Sequence, residues 1–366
     1  MRGNNKKPTL IVLTGGGTAG HILPHFALLP LFEEKGWEAV YIGSRHGADA
    51  TIVQSMSDLP FYGITTGKLR RYFDLENFKD FFRIIKGFFQ SIRLLRKIRP
   101  DAIFSKGGFV AVPVVWAGWL LGIPSILHES DLSPGLANWL MMPFAKTICL
   151  SFTQTKDQVR SSKAIHTGLP VRPFLYQGDA SRGRDLCSFN DKKKILLITG
   201  GSLGSQSIDQ WISDHFSEIS GSYQMIHIGK KPPERQKNTT LPSYRFFEFV
   251  KEDLAHLYAC ADLVVSRAGA NTLFELAALK KPSLLVPLSS QYSRGDQQAN
   301  AKLFAQLGIA EVWQEASGDI HDFLSLLKKL DTNRDQYIQA MKNFTVDSPG
   351  RKIMDLIDKY KKKKRK

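Results

Sequence analysis

The amino-acid sequence predicts an α/β protein of two doubly wound, Rossmann-like domains that face each other across a cleft. Continuous apolar runs alternate with helical stretches along the chain, which is typical of parallel sheets covered on both faces. A strand, a glycine turn and a helix start occur together at 9–21 and again at 195–206, about one domain apart. The length of 366 residues also suits two domains better than one.

The first half of the chain contains five apolar runs that end in small or polar residues, as buried parallel strands do. A glycine loop follows the first run, and a helix then extends to about Lys35. We expect an N-terminal domain over 1–165 and a connection over 166–193. The predicted strands are 9–14, 39–43, 101–105, 125–129 and 147–152.

The stretch from Phe109 to Leu127 carries no charged residue and has the length of a membrane-spanning helix. Two prolines and two glycines interrupt it, and its last residues are typical of a strand that leads into a polar loop. The sequence therefore predicts a core helix followed by a buried strand. Near the N-terminus, the apolar run Leu10 to Leu13 is much shorter than the core of a signal peptide and predicts a first buried strand.

The second half repeats the pattern. A run that begins at Lys194 leads into the glycine turn 200–205, where a second helix starts. We expect a C-terminal domain over 194–344, followed by a helix and a polybasic tail over 345–366. The predicted strands are 194–199, 224–229, 246–250, 262–266 and 283–287.

The net charge of +16 is concentrated in two segments. Residues 68–99 carry a net +7, and so do the last eight residues, 359–366, so the rest of the chain is nearly neutral. A protein that coats a nucleic acid more often spreads its basic residues along a groove. The three cysteines form no CxxC pair, which argues against a disulfide-stabilised protein and favours a reducing, cytosolic setting.

The loop TGGGTAGH (14–21) satisfies the GxGxxG pattern of dinucleotide-binding folds. Such folds also place an acidic residue at the end of the second strand, whereas this strand ends in Ile-Gly-Ser-Arg at Arg45. The sequence therefore disfavours a nicotinamide cofactor and leaves two interpretations open. In one, the glycines only let a helix pack on its sheet. In the other, they let a sugar or a diphosphate approach the backbone at a helix N-terminus.

His21 ends this loop at the predicted cleft, where it is a candidate general base. His25 follows at the i, i+4 spacing of a metal-binding pair. No third histidine, cysteine or carboxylate accompanies them locally, and Pro24 stands between the two. The sequence therefore predicts no metal site here.

The second half offers further candidates. The glycine turn 200–205 has backbone N–H groups and the Ser202 hydroxyl at a helix N-terminus, where an anion is stabilised. The chain contains no DxD motif, the usual sign of a metal-held nucleotide diphosphate. Glu275 falls early in a later helix and can accept hydrogen bonds from both hydroxyls of a ribose, while Gln297 and Asn300 can bind sugar hydroxyls. Taken singly, each is also compatible with a structural turn or a solvated side chain.

Eight motifs in a fixed order make the combination specific. They are GGTAGHILP (16–24), SKGGFVAVP (105–113), GIPSILHESD (122–131), PGLAN (134–138), TGLPVR (167–172), GGSLGS (200–205), SRAGANTLFE (266–275) and DQQANA (296–301). The set resembles the MurG family, bacterial glycosyltransferases that add N-acetylglucosamine to the lipid-linked muramyl-pentapeptide precursor of peptidoglycan. The resemblance covers roughly residues 9–345.

The resemblance implies the GT-B fold, UDP-N-acetylglucosamine as donor, and an inverting transfer without a metal or another cofactor. It implies an undecaprenyl-linked muramyl-pentapeptide as acceptor, glycosylated on the C4 hydroxyl of its muramic acid. By position, the resemblance implies that the donor-binding residues are Thr18, Ala19, Gly20, Asp131, Arg172, Ser202, Val250, Ala270, Asn271, Thr272, Leu273, Phe274, Glu275 and Gln297, and the pattern of residues 296–301 adds Asn300.

His21 is the predicted catalytic base, and Glu129 is the alternative, or a partner that orients an imidazole. The N–H groups and helix dipole of the turn 200–205 are expected to stabilise the departing diphosphate. The family pattern HEQN is His-Glu-Ser-Asp in this chain, so Asp131 replaces an amide. An ionised acid accepts hydrogen bonds from hydroxyls but donates none, so the chemistry at this position changes.

The segment 69–99 places apolar residues at a spacing of three to four, with basic residues between them. This pattern predicts an amphipathic helix on an anionic membrane surface, although its apolar face is also compatible with ordinary core. We expect a peripheral protein on the cytoplasmic face of the cell membrane, with the tail adding affinity for anionic lipid. The predicted membrane-facing residues are Phe78, Lys79, Phe81, Phe82, Arg83 and Ile85.

Two alternatives stay open from the sequence. One is a related UDP-sugar transferase that acts on another membrane lipid. The other is a non-catalytic nucleotide-binding or nucleic-acid-binding module that uses the basic tail. We expect no nucleic-acid partner, and salt-sensitive binding to anionic vesicles rather than to RNA distinguishes the two classes.

Overall fold

The computed structural model of the protein describes residues 7–67, 75–189, 193–201, 204–230, 232, 242–289, 295–314 and 318–362, but not the side chains of 75–79 and 81. The chain forms two compact units. The first comprises residues 1–170 and 346–366, and the second comprises 171–345. Each unit is built on one parallel sheet with Rossmann-like connections, which confirms the predicted fold class.

The sheet of the first unit contains seven described strands. They are β1 (Thr9–Thr14), β2 (Trp37–Ser44), β3 (Phe61–Ile64), β4 (Ala102–Ser105), β5 (Ser125–Glu129), β6 (Thr147–Leu150) and β7 (Ala164–His166). All pair in parallel, in the order β3-β2-β1-β4-β5-β6-β7. The order reverses at β1, which lies between β2 and β4. The residues that follow β1 and β4 therefore meet at the switch point, where open α/β sheets bind ligands.

Helices cover both faces of this sheet, because alternate residues of its strands point to opposite sides. On one face, Val12 belongs to a core cluster that also contains Leu95 and Val114. On the other face, Ile11 and Leu13 belong to a second cluster with Phe32 and Val53. The helices are α1 (Leu23–Phe26), α2 (Leu29–Glu34), α3 (Ala48–Met56), α4 (Leu75–Ile98), α5 (Ala111–Leu120), α6 (Leu136–Met141) and α7 (Thr155–Val159).

The structure confirms the core helix and buried strand predicted for the uncharged stretch. Val112, Val114 and Val115 of α5 are fully buried, and β5 follows directly. Trp119 and Leu120, at the end of α5, are more than half exposed. Within the described ranges, none of the helices combines the length and apolarity that a membrane crossing requires.

The second unit has a six-stranded sheet over its described residues. The strands are β8 (Lys194–Thr199), β9 (Tyr223–Ile228), β10 (Tyr244–Phe247), β11 (Leu263–Ser266), β12 (Ser283–Leu285) and β13 (Glu311–Val312). They pair in parallel in the order β10-β9-β8-β11-β12-β13, so the switch point lies between β8 and β11. The helices are α8 (Ala180–Cys187), α9 (Gln206–Asp214), α10 (Phe216–Ser222), α11 (Leu254–Cys260), α12 (Ala270–Ala278), α13 (Asp296–Gln306), α14 (Ile320–Thr332) and α15 (Arg334–Phe344).

The last helix, α16 (Pro349–Tyr360), belongs to the first unit. Ile353, Met354 and Ile357 are buried in the cluster that contains Phe32. On its exposed side, Arg351 forms an ion pair with Glu34 of α2 (3.2 Å). The chain therefore leaves the first unit once and returns to it at its end.

Three strands, β3, β7 and β13, are not predicted from the sequence, and β10 begins two residues before its predicted start. All four are edge strands of their sheets, and most of their residues are only partly buried. An edge strand has one neighbour and lacks the continuous apolar run of an interior strand. The interior strands, which carry that run, are found at their predicted places.

Candidate active site

The glycine turn after β1 is held by two side chains of the first unit. Tyr41 on β2 donates a hydrogen bond from its hydroxyl to the carbonyl oxygen of Gly15 (2.8 Å). Asp49 on α3 is 1% exposed and accepts hydrogen bonds from the backbone N–H groups of Gly17 (3.1 Å) and Ser44 (2.8 Å). Gly17 has a φ of +84°, which a glycine adopts without strain. Sequence reasoning finds neither Tyr41 nor Asp49.

His21 closes the short 3₁₀ helix Ala19–His21 that follows this turn. Its ring is half-buried, and Nδ1 lies 2.9 Å from Oγ1 of the exposed Thr18, with Gly20 half-buried between them. If Nδ1 carries the proton and donates to Thr18, Nε2 keeps a lone pair that can accept a proton from a substrate hydroxyl. The pair thus has the chemistry of an oriented general base.

His25 is fully buried in the core, unlike the half-buried His21. Its Nδ1 lies 3.2 Å from the carbonyl oxygen of Ile22, and its ring meets Tyr41 and Phe104 edge-on. Burial, with the nearby Lys106 charge, lowers the pKa of His25 to about 3, so the ring is neutral. Within the described part of the chain, no group of three or more histidine, cysteine or acidic side chains is arranged to hold a metal ion.

The loop after β5 is organised by Glu129, which is 4% exposed. One carboxylate oxygen accepts from the N–H of Asp131 (3.0 Å), and the other accepts from the N–H of Gly135 (3.0 Å) and the side-chain amide of Asn138 (2.7 Å). A carboxylate that accepts three hydrogen bonds is stabilised in its charged form and fixes the loop around it. Of the two candidate bases, His21 is half-buried, whereas Glu129 is buried and its carboxylate holds the loop. A substrate hydroxyl can therefore reach His21 more easily.

The turn after β4 packs directly against the first glycine turn. A Cβ atom on Gly108 would lie 2.3 Å from the carbonyl oxygen of Gly16, and Gly108 has a φ of +81°. Lys106, immediately before this turn, is 1% exposed and lies within hydrogen-bond distance of His128 on β5 and of Ser130 on the loop that follows. The turns after β1 and β4 and the loop after β5 thus form one connected group at the switch point.

In the second unit, Glu275 on α12 forms a bidentate pair with Arg172. Nε of Arg172 donates to Oε1 (2.8 Å) and Nη2 donates to Oε2 (3.1 Å). Burial alone would lower the pKa of Arg172, but the Glu275 carboxylate outweighs this effect, so the pKa of Arg172 is raised. An ionised carboxylate has about four acceptor positions, so the pair leaves Glu275 able to accept from ligand hydroxyls.

Arg267, directly after β11, connects the carboxyl end of that strand to the start of α9 by hydrogen bonds. It is 6% exposed, and its Nη2 donates to the hydroxyls of Ser205 (2.6 Å) and Ser207 (2.7 Å). Its Nη1 donates to the carbonyl oxygen of Val286 (3.0 Å). Ser205 itself caps the first turn of α9, which accounts for its place at the end of the second glycine turn. No local sequence pattern indicates this long-range role of Arg267.

The remaining predicted donor residues of this unit have different environments. The amide of the fully buried Asn300 donates to the carbonyl oxygen of Ala268 (3.4 Å), and Gln297 accepts from the N–H of Leu288 (3.0 Å), so both hold turns. Asn271, Thr272 and Val250 are half-buried, whereas Ala270, Leu273 and Phe274 are buried. Ser202 lies outside the described residues.

Helix α4 has two faces. Ile84 and Leu95 are buried in the core, whereas Phe82, Ile85 and Phe89 are 56%, 37% and 63% exposed. The side chains of Phe78, Lys79 and Phe81 lie outside the described residues. The exposed stripe also carries the basic residues Arg83, Lys86, Arg93 and Arg96.

Two family models match the chain. The glycosyltransferase family 28 N-terminal domain matches residues 11–150, and its C-terminal domain matches residues 195–357. The matched segments contain most of both sheets and both glycine turns. The chain therefore belongs to glycosyltransferase family 28.

Curated relatives of similar length show which members of family 28 the chain resembles. The chain is 47% identical over 347 residues to the UDP-N-acetylglucosamine--N-acetylmuramyl-(pentapeptide) pyrophosphoryl-undecaprenol N-acetylglucosamine transferase of Geobacillus kaustophilus, covering 95% of this chain and 97% of the relative. It is 44% identical over 349 residues to the enzyme of the same name in Clostridium perfringens, covering 95% and 98%. The chain belongs to this family of N-acetylglucosamine transferases.

Solved structures agree on the fold. The crystal structure of Acinetobacter baumannii MurG matches with a TM-score of 0.72 at 24% identity, covering 96% of this chain and all of the other. The LpCGTa structure in complex with UDP matches with a TM-score of 0.67 at 14% identity, covering 97% of this chain and all of the other.

Proposed function

We propose that this protein transfers N-acetylglucosamine from UDP-N-acetylglucosamine to the C4 hydroxyl of undecaprenyl-pyrophosphoryl-N-acetylmuramyl-pentapeptide. This converts lipid I to lipid II in peptidoglycan synthesis. The observation that carries the proposal is the 47% identity, over nearly the whole length of both chains, to a transferase with this name. The organised turns at both switch points support it.

The donor is held by the second unit in this proposal. Glu275, held in place by its pair with Arg172, accepts hydrogen bonds from the two ribose hydroxyls of UDP. The N–H groups at the start of α9, whose position Arg267 and Ser205 fix, bind the diphosphate. Because these groups are set before the reaction, they stabilise the charge that develops on the leaving UDP.

The chemistry is a single displacement without a catalytic metal. The acceptor oxygen attacks the anomeric carbon, the bond from that carbon to the diphosphate oxygen breaks, and its electron pair leaves with UDP. Nε2 of His21 takes the acceptor proton, and Thr18 accepts from Nδ1 of the same ring. One displacement inverts the anomeric centre, so an α-linked donor gives a β-linked product.

The protein reaches its lipid acceptor through the first unit. The exposed stripe of α4 combines phenylalanines with basic residues, as helices at anionic lipid surfaces do. Lys362, the last described residue, lies near the end of α5: its N–H donates to the carbonyl oxygen of Asp101, and its Nζ lies 3.4 Å from the carbonyl oxygen of Leu121. Trp119 and Leu120, exposed beside Leu121, extend this membrane-binding surface on the cytoplasmic face.

The test is transfer of labelled sugar from UDP-N-acetylglucosamine to a short-chain lipid I, with UDP-glucose, UDP-galactose and a chelator as comparisons. We expect label in the lipid from UDP-N-acetylglucosamine alone, undiminished by chelator, and a β-linkage in the product by NMR. Loss of transfer on chelation would overturn the metal-free mechanism. UDP binding without transfer to this lipid would point to a different lipid acceptor.

A further inference from the structure

Lys230 lies just after β9, at the edge of the second sheet where the glycine turn 200–205 is found. Strands β8 and β9 are parallel neighbours, so the residues that follow them meet at their carboxyl ends. The side chain of Lys230 is exposed. The assignments above give it no role in the reaction.

The aliphatic stem of Lys230 packs against Gly204 in this turn. A Cβ atom on Gly204 would lie 2.9 Å from Cγ of Lys230 and 3.5 Å from its Cδ and Cε, so a larger residue would displace the lysine. Gly204 also has a φ of +67°, which a glycine adopts without strain. The ammonium is one bond beyond Cε and therefore lies close to the turn that leads into α9.

A network of buried side chains fixes the backbone of Lys230 at this place. Its N–H donates to Oδ2 of Asp209 (3.1 Å), and Oδ1 of Asp209 lies 3.0 Å from Nε2 of His227. Nδ1 of the same ring lies 2.9 Å from the hydroxyl oxygen of Tyr244. Asp209 belongs to the first turn of α9, so the network joins the residue after β9 to the start of that helix.

Gly229 lets the backbone approach this network closely. A Cβ atom on Gly229 would lie 2.6 Å from Oδ1 of Asp209 and 2.9 Å from Nε2 of His227. The backbone that leads into Lys230 is therefore fixed, while the exposed end of its side chain can adjust to a ligand. Among the residues that the structure describes, no carboxylate forms an ion pair with the ammonium of Lys230.

We infer that Lys230 is a further donor-binding residue, whose ammonium contacts the diphosphate of UDP-N-acetylglucosamine at the second glycine turn. This inference rests on the proposed function, in which the start of α9 binds the diphosphate. The helix N-terminus supplies only partial positive charge, whereas Lys230 adds a full charge and strong hydrogen-bond donors. The diphosphate gains negative charge as its bond to the sugar breaks, so the lysine also stabilises the departing UDP.

The test compares the binding of UDP, by calorimetry, with that of uridine, which lacks the phosphates, by NMR titration. We expect Lys230→Met to raise the Kd of UDP about tenfold, as for a lost hydrogen bond to a charged group, and to change the Kd of uridine less than about twofold. Lys230→Arg keeps the charge, so its Kd for UDP should stay within about threefold of the wild type. A Kd of UDP that Lys230→Met leaves unchanged, or equal increases for UDP and uridine, would overturn the inference.

Lys328 on α14 is the matched control, because it is another exposed lysine of the second unit. Asp331, in the last turn of α14, forms an ion pair with Lys194 at the start of β8, so this end of the helix lies at the opposite edge of the sheet from the turn. Lys328→Met should leave the Kd of UDP unchanged, and both variants should keep the thermal midpoint of the wild type. Equal increases in the Kd of UDP from both substitutions would show an effect of net charge alone and contradict the inference.

The binding measurements also separate this inference from the proposed function. With lipid I as acceptor, Lys230→Met should lower kcat/KM for UDP-N-acetylglucosamine about tenfold or more, because both the bound donor and the departing UDP lose the same charge. If the wild type binds UDP but transfers nothing to lipid I, the proposed function fails, while the Kd values of UDP and uridine still decide the role of Lys230. A wild type that binds no UDP would overturn both.

Discussion

The two units share one architecture but hold their glycine turns with different chemistry. In the first unit, the switch point is surrounded by histidines and one buried lysine, which titrate near or below neutrality. In the second, the corresponding region is held by Arg172, Glu275 and Arg267, with each guanidinium making two or more hydrogen bonds. An arginine stays charged at every physiological pH. The first unit thus holds groups that change protonation state near or below neutral pH, whereas the arginines of the second unit do not titrate there.

The largest effect should come from removing the proton acceptor of the first unit. His21→Ala should lower kcat about 10²- to 10⁴-fold, the range that general base catalysis contributes, and leave the donor Kd nearly unchanged. Steady-state kinetics with lipid I and calorimetry with UDP-N-acetylglucosamine measure the two quantities. His321→Ala, at an exposed histidine on α14, is the control and should match the wild type. A turnover close to that of the wild type would place the base elsewhere.

The second unit should respond in binding rather than in turnover. Glu275→Gln keeps the shape of the side chain but removes the charge that pairs with Arg172 and that we propose accepts from ribose. We expect the Kd of UDP to rise about tenfold to a hundredfold, as for lost hydrogen bonds to a charged group. A Kd that Glu275→Gln leaves unchanged would remove the ribose assignment.

The exposed stripe on α4 gives the next effect. Replacing Phe82 and Phe89 together by serine should lower the partition onto anionic vesicles about thirtyfold, because each ring is more than half exposed and contributes about 1 kcal/mol when lipid covers it. Transfer to a water-soluble acceptor should be unaffected. Leu307→Ser, at an exposed leucine that follows α13 in the second unit, is the matched control. Equal vesicle binding by all three proteins would assign the phenylalanines another role.

The sequence predicts the interior strands and both glycine turns because local patterns determine them. β8 and β11 are largely apolar runs between two layers of helices, and the turns need glycine at fixed positions. The side chains that support those turns come from elsewhere in the chain. Tyr41, Asp49, Lys106 and Arg267 act through long-range contacts, which leave no periodic signal in the sequence. Their roles depend on the packed structure.

The difference in titration between the units also predicts how the protein responds to acid. His25 is neutral in the folded first unit and has the usual pKa of about 6.5 when unfolded, so the unfolded state binds more protons between that value and about 3. The free energy of unfolding therefore decreases as the pH falls below 6.5, by up to about 1.4 kcal/mol per pH unit for this one group.

His25→Phe should make the free energy of unfolding less dependent on pH below 6.5, because it removes the ring that binds a proton in the unfolded state. Phenylalanine is the replacement because the His25 ring packs edge-on against Tyr41 and Phe104. His227 of the second unit is the comparison, because it is another buried histidine and its Nε2 lies 3.0 Å from Oδ1 of Asp209. Urea unfolding at about pH 7, 6 and 5 measures the slopes for the wild type, His25→Phe and His227→Phe. Only His25→Phe is expected to make the slope shallower, and identical slopes for the wild type and His25→Phe would contradict the assignment of acid sensitivity to the first unit.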